Sequence, residues 1–210
     1  SMALSGSFSG VIRDGKYTLR VDWSATQSAV GNTSTITCKH YLVVAANYWV
    51  DIGGRSNATA IDGSSLAWSS PAVDCAGGAV YLGAVSRTVS HSADGSKSLA
   101  VSAAFNIQMT AGGTYWPSIT ASAYITLDTI PRASSISMPA AITLGQSVAL
   151  TIHRASSAFT HRLRYHFGSQ QAYFAENAGA SASWSVPLSL AYEIPNAAAG
   201  IGRVYCETFS

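Results

Sequence analysis

Two adjacent aromatic pairs, Tyr48-Trp49 and Tyr115-Trp116, are the residues of this chain whose types and spacing best suit binding chemistry. Neighbouring side chains of a strand point to opposite faces, so if either pair is extended, one of its rings cannot share a core with the other. An exposed ring beside Asn47, Asp51 or Thr114 has the parts of a sugar platform. The ring offers a flat apolar face to C–H groups, and amides and carboxylates bind hydroxyls. The commoner place for such amphipathic rings is half-buried, capping the open ends of a β-sandwich or packing on a second domain. Both readings stay open at this point.

Catalytic constellations are hard to assemble from the remaining residues. There is no Gly-x-Ser-x-Gly, Ser-x-x-Lys, His-Glu-x-x-His, Cys-x-x-Cys or phosphate loop. Glycoside hydrolysis needs two carboxylates flanking one bond. Among the acids, Asp14, Asp62 and Asp94 each precede a glycine as turn residues, and no pair is singled out. No catalytic residue, metal site or cofactor is therefore expected, and an enzyme is disfavoured. His40 sits on an apolar strand face with Ile36, Cys38, Leu42 and Val44 and reads as a half-buried structural residue. Arg162, Arg164 and His166 share one strand face, which reads as a solvated cationic face before it reads as an anion site. Cys38, Cys75 and Cys206 are too few and too far apart for a disulfide framework, although a Cys38–Cys75 bridge is left open.

The elements that must position these residues are strands. Asp, Glu, Lys and Arg make up only 10% of the chain, against about 25% in ordinary globular proteins. The surface is built from Ser, Thr, Ala, Asn and Gly, which suits contact with copies of itself or with neutral partners such as glycans. The net charge of +2 comes without a basic stripe, so nucleic acid is disfavoured as a partner. The apolar run Tyr41–Val50 is broken by Asn47 and is far short of the roughly 20 residues of a membrane helix. With no apolar targeting segment at the start either, a soluble protein with no membrane insertion is expected.

Period-two alternation recurs throughout: Tyr17–Trp23, Ile36–Val44, Leu99–Ile107 and Ile119–Leu127, then Ser147–His153 and His161–Phe167. Turn dipeptides Asp14-Gly15, Asp62-Gly63 and Asp94-Gly95 and the Gly112-Gly113 break separate the earlier runs. One helical turn is expected at Pro187–Ile194. This predicts a jelly-roll-like β-sandwich of eight or nine strands over residues 1–128. An immunoglobulin-like β-sandwich of about six strands follows over 129–210, its last strand missing from the usual seven. The join is Leu127-Asp128-Thr129-Ile130-Pro131-Arg132, where Pro131 lacks a backbone N–H and restricts Ile130 to extended backbone.

Leu127–Ser134, the opening Ser5–Gly10, Gly54-Arg55-Ser56-Asn57, Trp68-Ser69-Ser70-Pro71, His91–Ser98 and Arg154–His161 together resemble a family of minor structural proteins from the tails of long-tailed phages. The resemblance covers nearly the whole chain and implies a virion component of the tail tip or baseplate. Other tail proteins, and itself as a homo-oligomer, are the partners it implies, with host-surface attachment through a cell-wall glycan as the expected activity. An architectural spacer without receptor contact is the first alternative and a cell-wall hydrolase the second. The family carries no agreed active site to transfer, so the candidate platform stays Tyr48, Trp49, Tyr115 and Trp116.

Overall fold

The computed structural model describes residues 1–210 and is all-β apart from one 3₁₀ turn. The chain forms two compact units, Ser1–Ile130 and Pro131–Ser210. Ile130 is buried, and its N–H donates to the Gly95 carbonyl at 2.9 Å, which holds it in the first unit.

Ten strands build that unit: β1 (Ser5–Ile12), β2 (Tyr17–Ser28), β3 (Thr33–Ile52), β4 (Arg55–Ile61), β5 (Ser64–Ser70), β6 (Val73–Ser90), β7 (Ser98–Phe105), β8 (Met109–Ala111), β9 (Thr114–Trp116) and β10 (Ile119–Thr126). Two antiparallel four-stranded sheets, ordered β1-β2-β3-β6 and β10-β7-β4-β5, pack around one core. The rolled hairpin of a jelly roll is confined to β3–β6, where β3 pairs with β6 and β4 with β5. The pair β8–β9 is a short separate hairpin.

Alternation decides which side chains enter the core. Tyr17, Leu19, Val21 and Trp23 point inward from β2, and Leu99, Val101, Ala103 and Phe105 from β7. Ile107 keeps the same phase and is fully buried, but the ladder stops at Phe105. The reason is local: the N–H of Asn106 donates to the Asn57 Oδ1 at 2.8 Å, and its side-chain amide donates to the Ser56 carbonyl at 2.8 Å.

His40 is fully buried rather than half-buried, and it ties the two sheets together. Its Nδ1–H donates to the Gly83 carbonyl at 2.9 Å, while the Thr59 hydroxyl from the opposite sheet donates to Nε2 at 2.7 Å. Thr59 in turn accepts from the Trp68 indole N–H at 3.0 Å, and the indole stacks on the imidazole at 4.0 Å and 12°. Every polar atom of this triad is matched, and only the neutral imidazole satisfies it. Burial lowers the His40 pKa below the ordinary histidine value.

The unfolded chain therefore takes up this proton first, and stability that is full above about pH 6.5 is lost as pH falls below it. Denaturant titrations at pH 7.5 and 5.0 should show lower stability at pH 5.0. The difference should shrink in His40→Gln; an unchanged difference would remove His40 as its source.

The second unit has six strands, β11 (Ser135–Ser137), β12 (Ser147–His153), β13 (Thr160–Phe167), β14 (Gln170–Ala178), β15 (Ser181–Ser185) and β16 (Arg203–Phe209). They form two three-stranded sheets, β11-β12-β15 and β14-β13-β16. The first, second and fifth strands lie apart from the third and sixth as in an immunoglobulin-like sandwich. The fourth, β14, however, joins the third and sixth, whereas the constant-type arrangement keeps it with the first, second and fifth. The 3₁₀ turn spans Leu188–Glu193, with Pro187 in extended backbone just before it. Trp184 fills the core in a three-ring cluster, stacking on Tyr165 at 5.2 Å and on Phe174 at 4.9 Å, with those two rings 6.5 Å from each other.

All three cysteines are free thiols. Cys38 lies on β3 opposite Val85, and Cys75 lies opposite Val50, twelve residues farther along β3. A disulfide needs Cα atoms within about 7 Å, so the bridge left open by the sequence does not form. Burial pushes the Cys38 thiol up to about 11, which keeps it protonated and inert at neutral pH.

Candidate functional site

The four aromatic residues singled out by sequence lie on β3 and β9, and one ring of each pair faces outward. Trp49 is 69% exposed while Tyr48 is half-buried; Tyr115 is 57% exposed while Trp116 packs against the core. The Trp116 indole N–H donates to the Ala111 carbonyl at 3.3 Å across its own hairpin. Tyr48 sits edge-on to Tyr17 at 6.4 Å, and the Tyr17 hydroxyl donates to the Trp49 carbonyl at 2.8 Å. Tyr48 and Trp116 are thus supports, and Trp49 and Tyr115 are the accessible plates.

A bulge sets up the first plate. Between the pairs Val44–Gly78 and Trp49–Ala76, four residues of β3 oppose the single Gly77 of β6. Asn47 in this bulge has φ 68°, a left-handed backbone that Asn tolerates. Beyond the bulge the ladder resumes with Trp49 opposite Ala76 and Asp51 opposite Asp74. Val50 and Ile52 turn inward, so Trp49, Asp51 and Asp74 share the outward face, and all three are exposed. Ala76 is too small to cover the indole.

Directly opposite residues have Cβ atoms about 5 Å apart, and like charges there are unfavourable. Neither Asp51 nor Asp74 has an ion-pair partner. The result is an open aromatic plate with two unengaged carboxylates one step away, the combination that binds the C–H face and the hydroxyls of a sugar. No group of three His, Cys, Asp or Glu side chains gathers as a metal site.

Arg13 joins this region to the second plate. Its guanidinium lies 5.1 Å from the Tyr48 ring centroid, Lys16 Nζ stands at the same distance, and Arg13 also packs beside Gly112 at the tip of the β8–β9 hairpin. Gly112 and Gly113 have φ of 61° and 78°, the values a two-residue type I′ turn demands and glycine supplies without strain. Trp49 and Tyr115 occupy the same end of the unit without forming a ring pair, so they are two plates and not one.

Backbone strain marks the same end. Seven non-glycine residues have positive φ, and five of them are Asn or Asp, which adopt it readily. The two others, Arg13 and Gln108, both lie here, Gln108 at the base of the hairpin where its N–H donates to the Pro117 carbonyl. Strained backbone gathers at functional sites more than elsewhere. This end is also remote from the junction. Tyr17, beside Trp49, and Gln27, whose amide donates to the Asp128 carbonyl at 2.7 Å, stand ten residues apart on β2, roughly 33 Å.

Sequence reasoning named Asp51 and the aromatic pairs but missed Asp74, Arg13 and Lys16. Asp74 comes to Asp51 only through the β3–β6 pairing, which no local signal announces; the Asp14-Gly15 turn was a visible cue to its neighbour Arg13. The cationic face of Arg162, Arg164 and His166 also differs from its expectation, because Glu176 and Glu207 from flanking strands share it.

No curated protein and no solved structure matches the chain. One family model does, that of a siphovirus protein of unknown function (DUF859), over residues 9–210. Covering all but the first eight residues, this match shows that the chain belongs to that siphovirus family.

Proposed function

We propose that this siphovirus protein is a non-catalytic structural component of the virion, at the tail tip or baseplate, and attaches the particle to its host by binding a cell-wall glycan. The observation that carries the reading is the outward face of Trp49, Asp51 and Asp74: an indole left bare by Ala76, with two carboxylates that meet no cation of the chain. Its place at the end of the first unit farthest from the Ile130–Pro131 junction suits a contact made at the tip of an appendage.

Binding of the purified protein to host-type cell walls tests this. Trp49→Ala should weaken binding at least tenfold with an unchanged melting temperature, because the ring is exposed. Asp51→Asn and Asp74→Asn should weaken it too while leaving stability equal or higher, since each removes a like-charge pair. Tyr115→Ala tests the second plate, whereas Trp116→Ala confounds binding with loss of core packing. Absence of wild-type binding to any wall would reject attachment.

A second reading, an architectural spacer that contacts other virion proteins or copies of itself, has its own support. The outward positions of β4, β5, β7 and β10, among them Ala67, Ser69, Ala100, Ser102, Thr120 and Ser122, carry no charge. Such a face costs little to desolvate against another protein.

A further inference from the structure

In the second unit, the outward face of the β14-β13-β16 sheet is an ordered ladder of arginine and tyrosine. The Arg162 guanidinium lies 3.4 Å from the Tyr173 ring centroid and its Nε is 3.0 Å from Glu176 Oε1. Arg164 lies 4.4 Å from the Tyr205 centroid and donates from Nη1 to Gln171 Oε1 at 3.0 Å. The Tyr173 hydroxyl donates to Glu207 Oε1 at 2.8 Å. Because Tyr173 is on β14 and Glu207 on β16, the tyrosine reaches across β13 to make that bond. Long side chains that would otherwise sample many rotamers are held in place before any ligand arrives, which lowers the entropy lost on binding.

Arg164, Gln171, Tyr173 and Glu207 line a groove on this face. Its chemistry selects among ligands. An anion would gain from Arg164 but meet the Glu207 carboxylate, and a cation would face the reverse. Neighbouring hydroxyls satisfy both, because a hydroxyl donates and accepts at once. One can donate to Glu207 Oε2, which the tyrosine bond leaves open, while the next accepts from Arg164 or from the Gln171 amide.

We propose that this groove is a second saccharide subsite, which takes a neutral sugar presenting vicinal hydroxyls. It is built from the second unit alone and does not depend on the Trp49 face.

The test is NMR on the full chain, following the Arg164 Nε–H and Tyr173 ring signals during titration with the methyl glycosides of glucose, mannose and galactose, and with glucuronate as the charged comparison. At least one neutral glycoside should shift these signals saturably in the millimolar range. Glu207→Gln should weaken that binding at least fivefold at unchanged melting temperature, and Trp49→Ala should leave it unaltered. No saturable shift with any neutral glycoside, preference for glucuronate, or indifference to Glu207→Gln would each overturn the proposal. Loss of wall binding in Trp49→Ala with the glycoside titration intact would separate the two sites.

Discussion

Trp184→Ala is expected to unfold the second unit while the first stays folded. The indole is 5% exposed, stacks on both Tyr165 and Phe174, and packs with Val148, Leu150, Val186 and Leu190. Removing a buried tryptophan costs about 3–5 kcal/mol, through lost transfer energy and the cavity left behind. An 80-residue unit has roughly 4–12 kcal/mol in total. The unit also has a pocket of about 690 Å³, partly open to solvent and bordered by this indole, which adds to the space its removal leaves unfilled. Amide hydrogen exchange gives the readout: protection should vanish across β12–β16 and persist in β2, β3 and β7. Full protection throughout, with less than about 1 kcal/mol lost, would show that the stack contributes little beyond contact area.

Gly10→Ala should be the most damaging small substitution in the first unit. Gly10 lies on β1 opposite Leu19, where β1 passes close to β10 without laddering to it. A Cβ there would overlap the Thr120 carbonyl oxygen and stand 3.2 Å from the Ala121 Cα. Both obstacles are backbone, so no rotamer change relieves them, and β1 and β10 must separate along the seam where the sheets meet. Overpacking costs about 1–3 kcal/mol and occasionally more; the upper end applies because nothing can turn aside. Gly6→Ala is the matched control, since its Cβ meets only the Trp23 indole. A denaturant midpoint that falls clearly more for Gly10→Ala than for Gly6→Ala would support this account, and equal losses would point instead to strand entropy at both sites.

These substitutions rest on knowledge of different reach. The inward set of β2, β7 and β10 was legible from the sequence, because alternate residues of a strand must face opposite ways whatever the strand packs against. The same rule said that if either aromatic pair is extended, its two rings cannot share one core, and so left open that one of them faces out. It did not announce which, since that depends on the sheet beyond the strand.

His40 shows the limit within the core. Its strand face was apolar and its position readable, but its partners come from elsewhere: Gly83 on the neighbouring strand, Thr59 and Trp68 from the opposite sheet. The count of strands in the first unit fell short for a related reason. The three-residue strands of the β8–β9 hairpin are too short to show a period, and only their pairing defines them.

By itself, then, the sequence determined the all-β class, the inward and outward sets along each long strand, the Gly112-Gly113 turn and the two outward-capable aromatic pairs. These follow from backbone geometry that spans a few residues. Tertiary structure alone decided that Asp74 lies beside Asp51, that Arg13 reaches both Tyr48 and the hairpin, and that Glu207 sits opposite Arg162. Each of those neighbours is brought in by strand pairing or packing across a long stretch of chain. Their proximity is set by the packing of whole sheets, and that is a property no local window of residues contains.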